Sequence, residues 1–223
     1  MNDREILRAE GLVKEFESGG KNLRVLDGVS LSLGANEILA VTGPSGSGKS
    51  TLLSLLAGLD RPTRGSVFLD SRDINALPEK EISRIWRQEI GFVFQSYYLL
   101  PTLTALENVR VPLELDGDRD SEKHAAHWLK AVGLSHRAAH LPAEMSGGEQ
   151  QRTALARAMV NKPRILFADE PTGNLDSKTG RVMEDLLLSL ARDHHTSLML
   201  VTHESSFAKK ADRVIRLEGG RIK

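Results

Sequence analysis

The sequence predicts an α/β fold organised around a parallel sheet, and three features carry that prediction. A strand-like run, residues 37–42, leads directly into a glycine-rich loop and then into a helical pattern. Two uninterrupted apolar runs, residues 165–168 and 197–201, have the composition of strands that are buried on both faces. Helical periodicity dominates from about residue 106 to residue 160. The sheet is therefore expected to carry a mainly helical insertion.

The composition limits the classes of function. The chain has 223 residues, of which 40% are hydrophobic and 27% charged, as in an ordinary globular domain. Thirty basic residues balance thirty acidic ones, so we expect no attraction to nucleic acid or to an anionic membrane. The absence of cysteine excludes a thiolate metal site and fits a reducing compartment such as the cytoplasm. The most apolar stretch, Leu52–Leu59, is too short to span a bilayer, so membrane contact is expected only through a partner.

The first third of the chain is predicted to be mostly sheet. Strand-like runs extend from Ile6 to Leu12 and from Val25 to Leu33, and the Gly19-Gly20 pair between them is typical of a hairpin loop.

The glycine-rich loop has the pattern of a phosphate-binding loop. Gly43 to Ser50 satisfies G-x-x-x-x-G-K-[ST] and lies between a predicted strand and a predicted helix, the context that the motif requires. Backbone N–H groups and the helix N-terminus would bind phosphate oxygens, Lys49 would add a point charge, and Ser50 would ligate Mg²⁺. Kinases, GTPases and motor ATPases share this loop. The predicted nucleotide contacts are Gly43, Pro44, Ser45, Gly46, Ser47, Gly48, Lys49, Ser50 and Thr51.

Two carboxylates, Asp169 and Glu170, follow the apolar run at residues 165–168. Open α/β sheets bind ligands at the carboxyl ends of their strands. Asp169 is therefore predicted to bind Mg²⁺ directly or in its second coordination sphere, and Glu170 to polarise the water that attacks a γ-phosphate. No feature of the sequence resembles a pocket for a phosphate acceptor, which favours water over a second substrate.

The segment Met145–Arg152 closely resembles the Leu-Ser-Gly-Gly-Gln motif of ABC ATPases. Ser146, Gly147 and Gly148 precede a helix and form a second potential anion-binding N-terminus. The resemblance implies a head-to-tail dimer, in which ATP lies between the phosphate loop of one subunit and the Ser146 region of its mate.

The remaining motifs of that family follow in order, and the resemblance covers essentially the whole chain. It implies that Gln95 contacts Mg²⁺ and the membrane subunits, that Asp176 lies in the loop joining the two sites, and that His203 senses the γ-phosphate. Phe16 matches the aromatic residue that stacks on adenine, with a core role as the alternative.

The resemblance also implies the architecture, a P-loop NTPase of ABC ATPase type with a RecA-like core. An antiparallel β-subdomain is expected at the N-terminus and an α-helical subdomain as the insertion. Residues 1–223 are thus predicted to form one ATPase domain. Within it, residues 1–94 and 161–223 would form the nucleotide-binding core, and residues 95–160 the helical subdomain with the clamp motif.

Several segments resemble the lipoprotein-releasing and macrolide-exporter group of these ATPases. Glu149 replaces the usual glutamine, and residues 100–109 and 168–176 match that group. Residues 129–138 and 160–164 are most similar to the lipoprotein-releasing ATPase. The implied partners are a second copy of the chain and an integral membrane permease, at the cytoplasmic face of the inner membrane. A related efflux permease, or a non-transporting permease that the ATPase regulates, are the alternatives.

Non-transport ABC ATPases are the rival class. A chromosome or DNA-repair head would need a long coiled-coil insertion between Gln95 and Ser146, which are too close in this sequence. A ribosome-associated factor normally carries two cassettes in one chain. The apolar cluster Tyr97–Pro101 instead predicts a groove for a short cytoplasmic helix of the membrane subunit, with core packing as the alternative.

Overall fold

The computed structural model describes residues 5–18 and 21–223, so the predicted Gly19-Gly20 loop lies outside the described residues. The strands are β1 Glu5–Ser18, β2 Lys21–Gly34, β3 Ile38–Thr42, β4 Arg64–Leu69, β5 Arg72–Asp73, β6 Ile90–Phe94, β7 Ile165–Asp169, β8 Ser197–Val201, β9 Arg213–Glu218 and β10 Arg221–Ile222. The helices are α1 Lys49–Leu56, α2 Glu79–Gln88, α3 Ala105–Leu115, α4 Ser121–Ala131, α5 Gly147–Met159, α6 Ser177–Asp193 and α7 Ser205–Ala208.

The chain divides into two compact units. The first extends to Ser83 and includes Ser197–Lys223, and the second is Arg84–Thr196. The subdomain boundaries suggested by the sequence, 94/95 and 160/161, stay a prediction.

An antiparallel sheet in the first unit has the strand order β2-β1-β4-β5. The hairpin strands β1 and β2 are longer than the sequence runs predict because bulges carry the pairing past irregular positions. Gly11 lies in the register shift between Ala9 and Leu12, and its φ of 57° is in the left-handed region that glycine adopts at little cost.

The first unit also contains a group of strands around β3. β3 pairs in parallel with β8 on one side and with β9 on the other, and β10 pairs antiparallel with β9. Ile38, Leu39, Ala40 and Val41 are buried, as a central parallel strand requires. The loop that follows β3 therefore leaves the carboxyl edge of these strands and leads directly into α1.

The second unit packs helices against the parallel pair β6 and β7. The register places Phe94 opposite Asp169, so the segments that follow the two strands begin at the same edge. Helices α3, α4 and α5 pack on one another around Trp128, Leu155 and Met159, which are buried. α3 begins at Thr104 with a side-chain cap, in which Glu107 is the reciprocal partner.

Helix α2 is not among the elements predicted from the sequence. Its apolar residues Ile82, Ile85 and Trp86 have helical spacing, Glu79 lies in its first turn and Arg87 in its last. The sequence therefore contains the helical spacing that marks α2. None of the described helices is both long and apolar enough to cross a bilayer.

Candidate functional site

The phosphate loop, Gly43 to Ser50, connects the buried strand β3 to α1. α1 begins after Gly48, whose φ is 99°, and no side chain caps this end of the helix. Its first turn contains no acidic residue. The N–H groups of the first turn and the positive end of the helix dipole are therefore available to an anion.

Two buried side chains complete this loop. The Lys49 ammonium donates to the carbonyl oxygens of Gly43 and Pro44, at 3.0 Å each, so two of its three donors hold the loop closed. The hydroxyl of Ser47 is buried and has no hydrogen-bond partner among the described residues. Such a group normally has a partner, and a phosphate oxygen would supply one.

The tight path of the loop depends on glycine at its first position. A Cβ atom on Gly43 would lie 2.0 Å from the carbonyl oxygen of Leu217, a backbone atom that cannot move away easily. A cavity of about 450 Å³ adjoins this point. His203, an exposed residue that follows β8, lines the same cavity as Gly43 and Pro44. The structure thus brings the predicted phosphate sensor and the loop together.

In the second unit, Asp169 is the last residue of β7 and Glu170 follows it. Glu170 has a φ of 45°, in the left-handed region that a residue with a side chain rarely adopts. Its carbonyl accepts from the Gly173 N–H at 3.0 Å, which closes a turn. Unusual backbone conformations concentrate at functional sites, so the strain favours a specific task for this carboxylate.

Gln95 lies one residue beyond β6, at the same edge as Glu170. Its side-chain amide donates to Asn174 Oδ1 at 3.2 Å, and Asn174 Nδ2 donates back to the Gln95 carbonyl at 3.0 Å. A Cβ atom on Gly173 would lie 2.8 Å from Gln95 Nε2. The side chain of Gln95 is therefore held against the loop that follows the two carboxylates.

The clamp motif, Met145–Arg152, forms the start of α5. The Ser146 hydroxyl accepts from the Glu149 N–H, and the Glu149 carboxylate accepts from the Ser146 N–H at 2.8 Å, which is a complete capping box. Arg137 Nε also donates to this carboxylate, at 2.8 Å. The hydrogen bond from Ser146 is the main cause that lowers the pKa of Glu149 to about 2, with Arg137 as a further one.

The other predicted contacts occupy distinct positions. Asp176 caps α6 by accepting from the N–H groups of Lys178 and Thr179, and the hydrogen bonds from Thr179 lower its pKa. Phe16 is exposed on the β1–β2 hairpin rather than packed in a core, and the Lys14 ammonium lies over its ring at 5.0 Å.

The predicted magnesium ligands offer the oxygen donors that this hard cation prefers. Ser50 is exposed in the first turn of α1, Asp169 ends β7 and Gln95 follows β6. Their chemistry fits Mg²⁺. Within residues 5–18 and 21–223 no three His, Asp or Glu side chains form a metal-binding group.

An exposed apolar surface follows Gln95. Tyr98 is 64% exposed and Leu100 is 45% exposed, so core packing does not explain them. The edge of the Tyr98 ring meets Phe94 at 5.0 Å. Phe94 also lines a cavity of about 300 Å³ with Trp86, Phe92, Pro112, Leu115 and Arg157.

The family model described as ABC transporter matches residues 26–173. The chain belongs to the ABC transporter family. This ABC protein is 46% identical, over all of its length and 99% of the relative's, to the "Lipoprotein-releasing system ATP-binding protein LolD" of Pseudomonas syringae pv. tomato. It is 47% identical to the protein of the same name from Xanthomonas campestris pv. campestris, over 98% of this chain and 92% of the relative.

Solved structures agree with the assignment. The ATP-binding cassette MJ0796, described as dimeric and in a post-hydrolysis state with ADP and Pi, has a TM-score of 0.91 and 39% identity. The match covers 98% of this ABC chain and 97% of the cassette. A second dimeric structure of MJ0796 matches equally well. The predicted family and fold class are confirmed, while the roles of individual residues stay predictions.

Sequence reasoning missed several residues of this ABC cassette. The spacing of Ser146 and Glu149 is that of a capping box, so that signal was available. Arg137, Gln151 and Arg157 contact residues 12 to 60 positions away. No local pattern marks such contacts.

Proposed function

We propose that this chain is the ATP-binding and ATP-hydrolysing subunit of a transporter that releases lipoproteins from the inner membrane. The similarity of the whole chain to ATP-binding proteins of lipoprotein-releasing systems is the observation that carries the proposal. Two copies would work on the cytoplasmic face, and the chain would contact the membrane through a permease.

The phosphate loop would hold the triphosphate of ATP. The N–H groups of α1, the ammonium of Lys49 and the buried hydroxyl of Ser47 supply donors for its oxygens. Phe16 would stack on adenine with the ring face that Lys14 does not cover. Ser50, Gln95 and Asp169 would hold Mg²⁺, which neutralises phosphate charge when bound.

Hydrolysis needs a base, and Glu170 is the proposed one. Its carboxylate would accept a proton from the water that attacks the γ-phosphate, while His203 contacts that phosphate. Ser146, Gly147 and Gly148 of one copy would bind the γ-phosphate held by the other. ATP then favours the closed dimer, and Asp176 would link the two sites.

The role of Glu170 is tested by Glu170→Gln. This change keeps the size of the side chain but removes the base, so turnover should fall about 10²- to 10⁴-fold while ATP affinity is retained. The exposed Glu79→Gln serves as the control and should hydrolyse ATP like the parent. A Glu170→Gln protein with the parental rate would refute the assignment.

The exposed apolar surface at Tyr98 and Leu100 is the proposed docking site for a cytoplasmic helix of the permease. Tyr98→Glu and Leu100→Glu should abolish co-purification with the membrane subunits, because a charge would enter an apolar contact. Leu23→Glu, at a similarly exposed position of the first unit, should not. Normal assembly of the folded Tyr98→Glu and Leu100→Glu proteins would exclude docking at this site.

The cargo is tested by purifying the Glu170→Gln protein from detergent-solubilised native membranes with Mg·ATP. Mass spectrometry should find a permease with a large periplasmic domain together with lipoproteins. A permease without lipoproteins would favour an efflux system. If no membrane protein is recovered, the transporter assignment fails.

A further inference from the structure

Arg157 in α5 contacts the segment that follows β6, which we name the Gln95 loop (residues 95–101). One terminal nitrogen of its guanidinium donates to the Tyr98 carbonyl at 2.6 Å, and the other donates to the Tyr97 carbonyl at 2.8 Å. One planar side chain therefore holds two consecutive carbonyls, a geometry to which the fork of arginine is suited and the ammonium of lysine is not.

The two tyrosines adopt an unfavourable backbone conformation. Tyr97 has a φ of 58° and Tyr98 a φ of 48°, both in the left-handed region. Bulky residues avoid this region because Cβ approaches the following carbonyl oxygen, and two such residues in succession are rarer still. Surrounding contacts must hold such a turn, and the bidentate contact from Arg157 is suited to that task.

The position of Arg157 is unfavourable for a residue whose role is only to stabilise the fold. Its side chain is half-buried, and burial lowers its pKa. No carboxylate among the described residues pairs with it. A desolvated cation whose partners are neutral carbonyls gains less than one that is paired with an acid. The placement of Arg157 is therefore better explained by the conformation of the loop than by stabilisation of the fold.

Further contacts join α5 to the end of β6, to the Gln95 loop and to the segment that follows β7. The buried amide of Gln151 donates to the Phe94 carbonyl at 3.2 Å and to the Pro171 carbonyl at 2.6 Å. A Cβ atom on Gly147 would lie 2.9 Å from the Tyr97 hydroxyl, so this ring lies against the N-terminus of α5. The start and the end of α5 therefore contact the Gln95 loop, and the middle of α5 contacts the strand residue that precedes it.

We propose that Arg157 is a positioning residue that holds the Gln95 loop in its left-handed turn and makes the loop move together with the clamp helix. A displacement of Ser146 would then be transmitted to Tyr98 and Leu100 as a rigid movement. The conformational part of this inference depends on the contacts alone. Its mechanical consequence rests on the proposed function.

Hydrogen–deuterium exchange of the full-length protein tests the conformational part. Arg157→Lys keeps the charge but loses the fork, and Arg157→Gln loses both. Exchange of peptides covering residues 94–101 should rise about 10-fold in Arg157→Lys, the equivalent of one charge-assisted hydrogen bond, and further in Arg157→Gln. Exchange across residues 43–50 should not change. Arg164→Lys, which alters an arginine paired with Glu89, is the matched control and should leave the loop unaffected.

Turnover of the complex co-purified with its membrane subunits tests the mechanical part. Affinity of the isolated Arg157→Lys protein for Mg·ATP should stay within about 2-fold of the parent, while permease-stimulated turnover should fall about 10-fold. Unchanged loop exchange in both variants would overturn the proposal, as would raised exchange with unchanged stimulation. If the parent itself neither binds nor hydrolyses ATP, the proposed function and the coupling both fail, but the exchange result still decides whether Arg157 holds the turn.

Discussion

The chain contains two glycine-rich helix N-termini that the sequence assigns to phosphate, and the structure builds them differently. α1 starts at Gly48 with no side-chain cap and no acidic residue in its first turn. α5 starts at Ser146 with a reciprocal capping box, whose carboxylate also accepts from Arg137. The start of α1 leaves its donors to a ligand, whereas the start of α5 already uses one of its N–H groups to bind a carboxylate that is paired with an arginine.

Under the proposed function, this contrast favours different tasks for the two helix starts. An uncapped helix start with a buried lysine can bind an anion strongly by itself. At the start of α5, the Glu149 carboxylate is paired with Arg137 and already accepts from the Ser146 N–H, so the hydroxyl of Ser146 and the N–H groups of Gly147 and Gly148 are the donors left for an anion. The clamp end is therefore suited to recognise a phosphate that another site already holds, rather than to bind one alone.

The largest expected effect is at the phosphate loop. Lys49→Met removes a charge-assisted donor, so ATP affinity should fall roughly 10- to 100-fold. Lys130→Met, at an exposed position of α4, should leave affinity unchanged. Isothermal titration calorimetry measures the ATP affinity of both variants. Equal ATP affinity of Lys49→Met and Lys130→Met would contradict the proposal that the start of α1 binds phosphate by itself.

A second test separates the two glycines of the clamp end. A Cβ atom on Gly148 would lie 2.4 Å from Thr179 Cγ2, whereas on Gly147 it would lie 2.9 Å from the terminal hydroxyl of Tyr97 and in ordinary contact with Leu175. Gly148→Ala should therefore destabilise the fold by about 1–3 kcal/mol. Gly147→Ala should be neutral, or stabilising by up to about 1 kcal/mol, since alanine favours helix. Urea unfolding measures the free energy of unfolding of both variants. A larger loss of stability in Gly147→Ala than in Gly148→Ala would contradict the close packing of Gly148 against Thr179.

The third test removes the Ser146 cap of α5. Ser146→Ala should lower the free energy of unfolding by about 1 kcal/mol and also weaken ATP-dependent dimerisation. Thr104→Ala removes the equivalent cap of α3, so it should cost similar stability and leave dimerisation intact. Sedimentation velocity in the Glu170→Gln background measures the dimerisation of both variants. Equal dimerisation of both variants would mean that Ser146 only caps the helix.

The smallest effect concerns the charge at Glu149. Its pKa of about 2 lies below the ordinary 4.5, so ionisation stabilises the folded state above about pH 4.5, and this contribution is lost as the pH falls toward 2. Glu149→Gln should cost less than about 1 kcal/mol near neutral pH. Thermal unfolding from pH 7 to pH 3 should show the difference from the parent shrinking below about pH 4.5, whereas a constant difference would contradict it. Glu81→Gln, at an exposed position, is the control.

Local patterns predicted the elements that bring the phosphate loop into place. The run at residues 37–42 is β3, and the helical spacing after Lys49 is α1, because the strand, loop and helix are contiguous in sequence. The family motifs predicted the fold class for the same reason. The bulged hairpin was harder, since Gly11 and Gly28 break the alternation that marks a strand while pairing continues past them.

Contacts between distant residues could not be predicted in this way. The left-handed turn at Tyr97 and Tyr98 contains no glycine, so nothing local announces it. It is held from Arg157, about sixty residues further along the chain. The exposure of Phe16 likewise depends on the surroundings of the hairpin and not on its own sequence.

A nucleotide bound at the uncapped start of α1 would also stabilise the fold. A ligand that binds only the folded state, present at a hundred times its dissociation constant, raises the free energy of unfolding by about 2.7 kcal/mol. Bound phosphate would supply the cap that Gly48 lacks. Under the proposed function, the empty protein would therefore unfold more readily than the nucleotide-bound one.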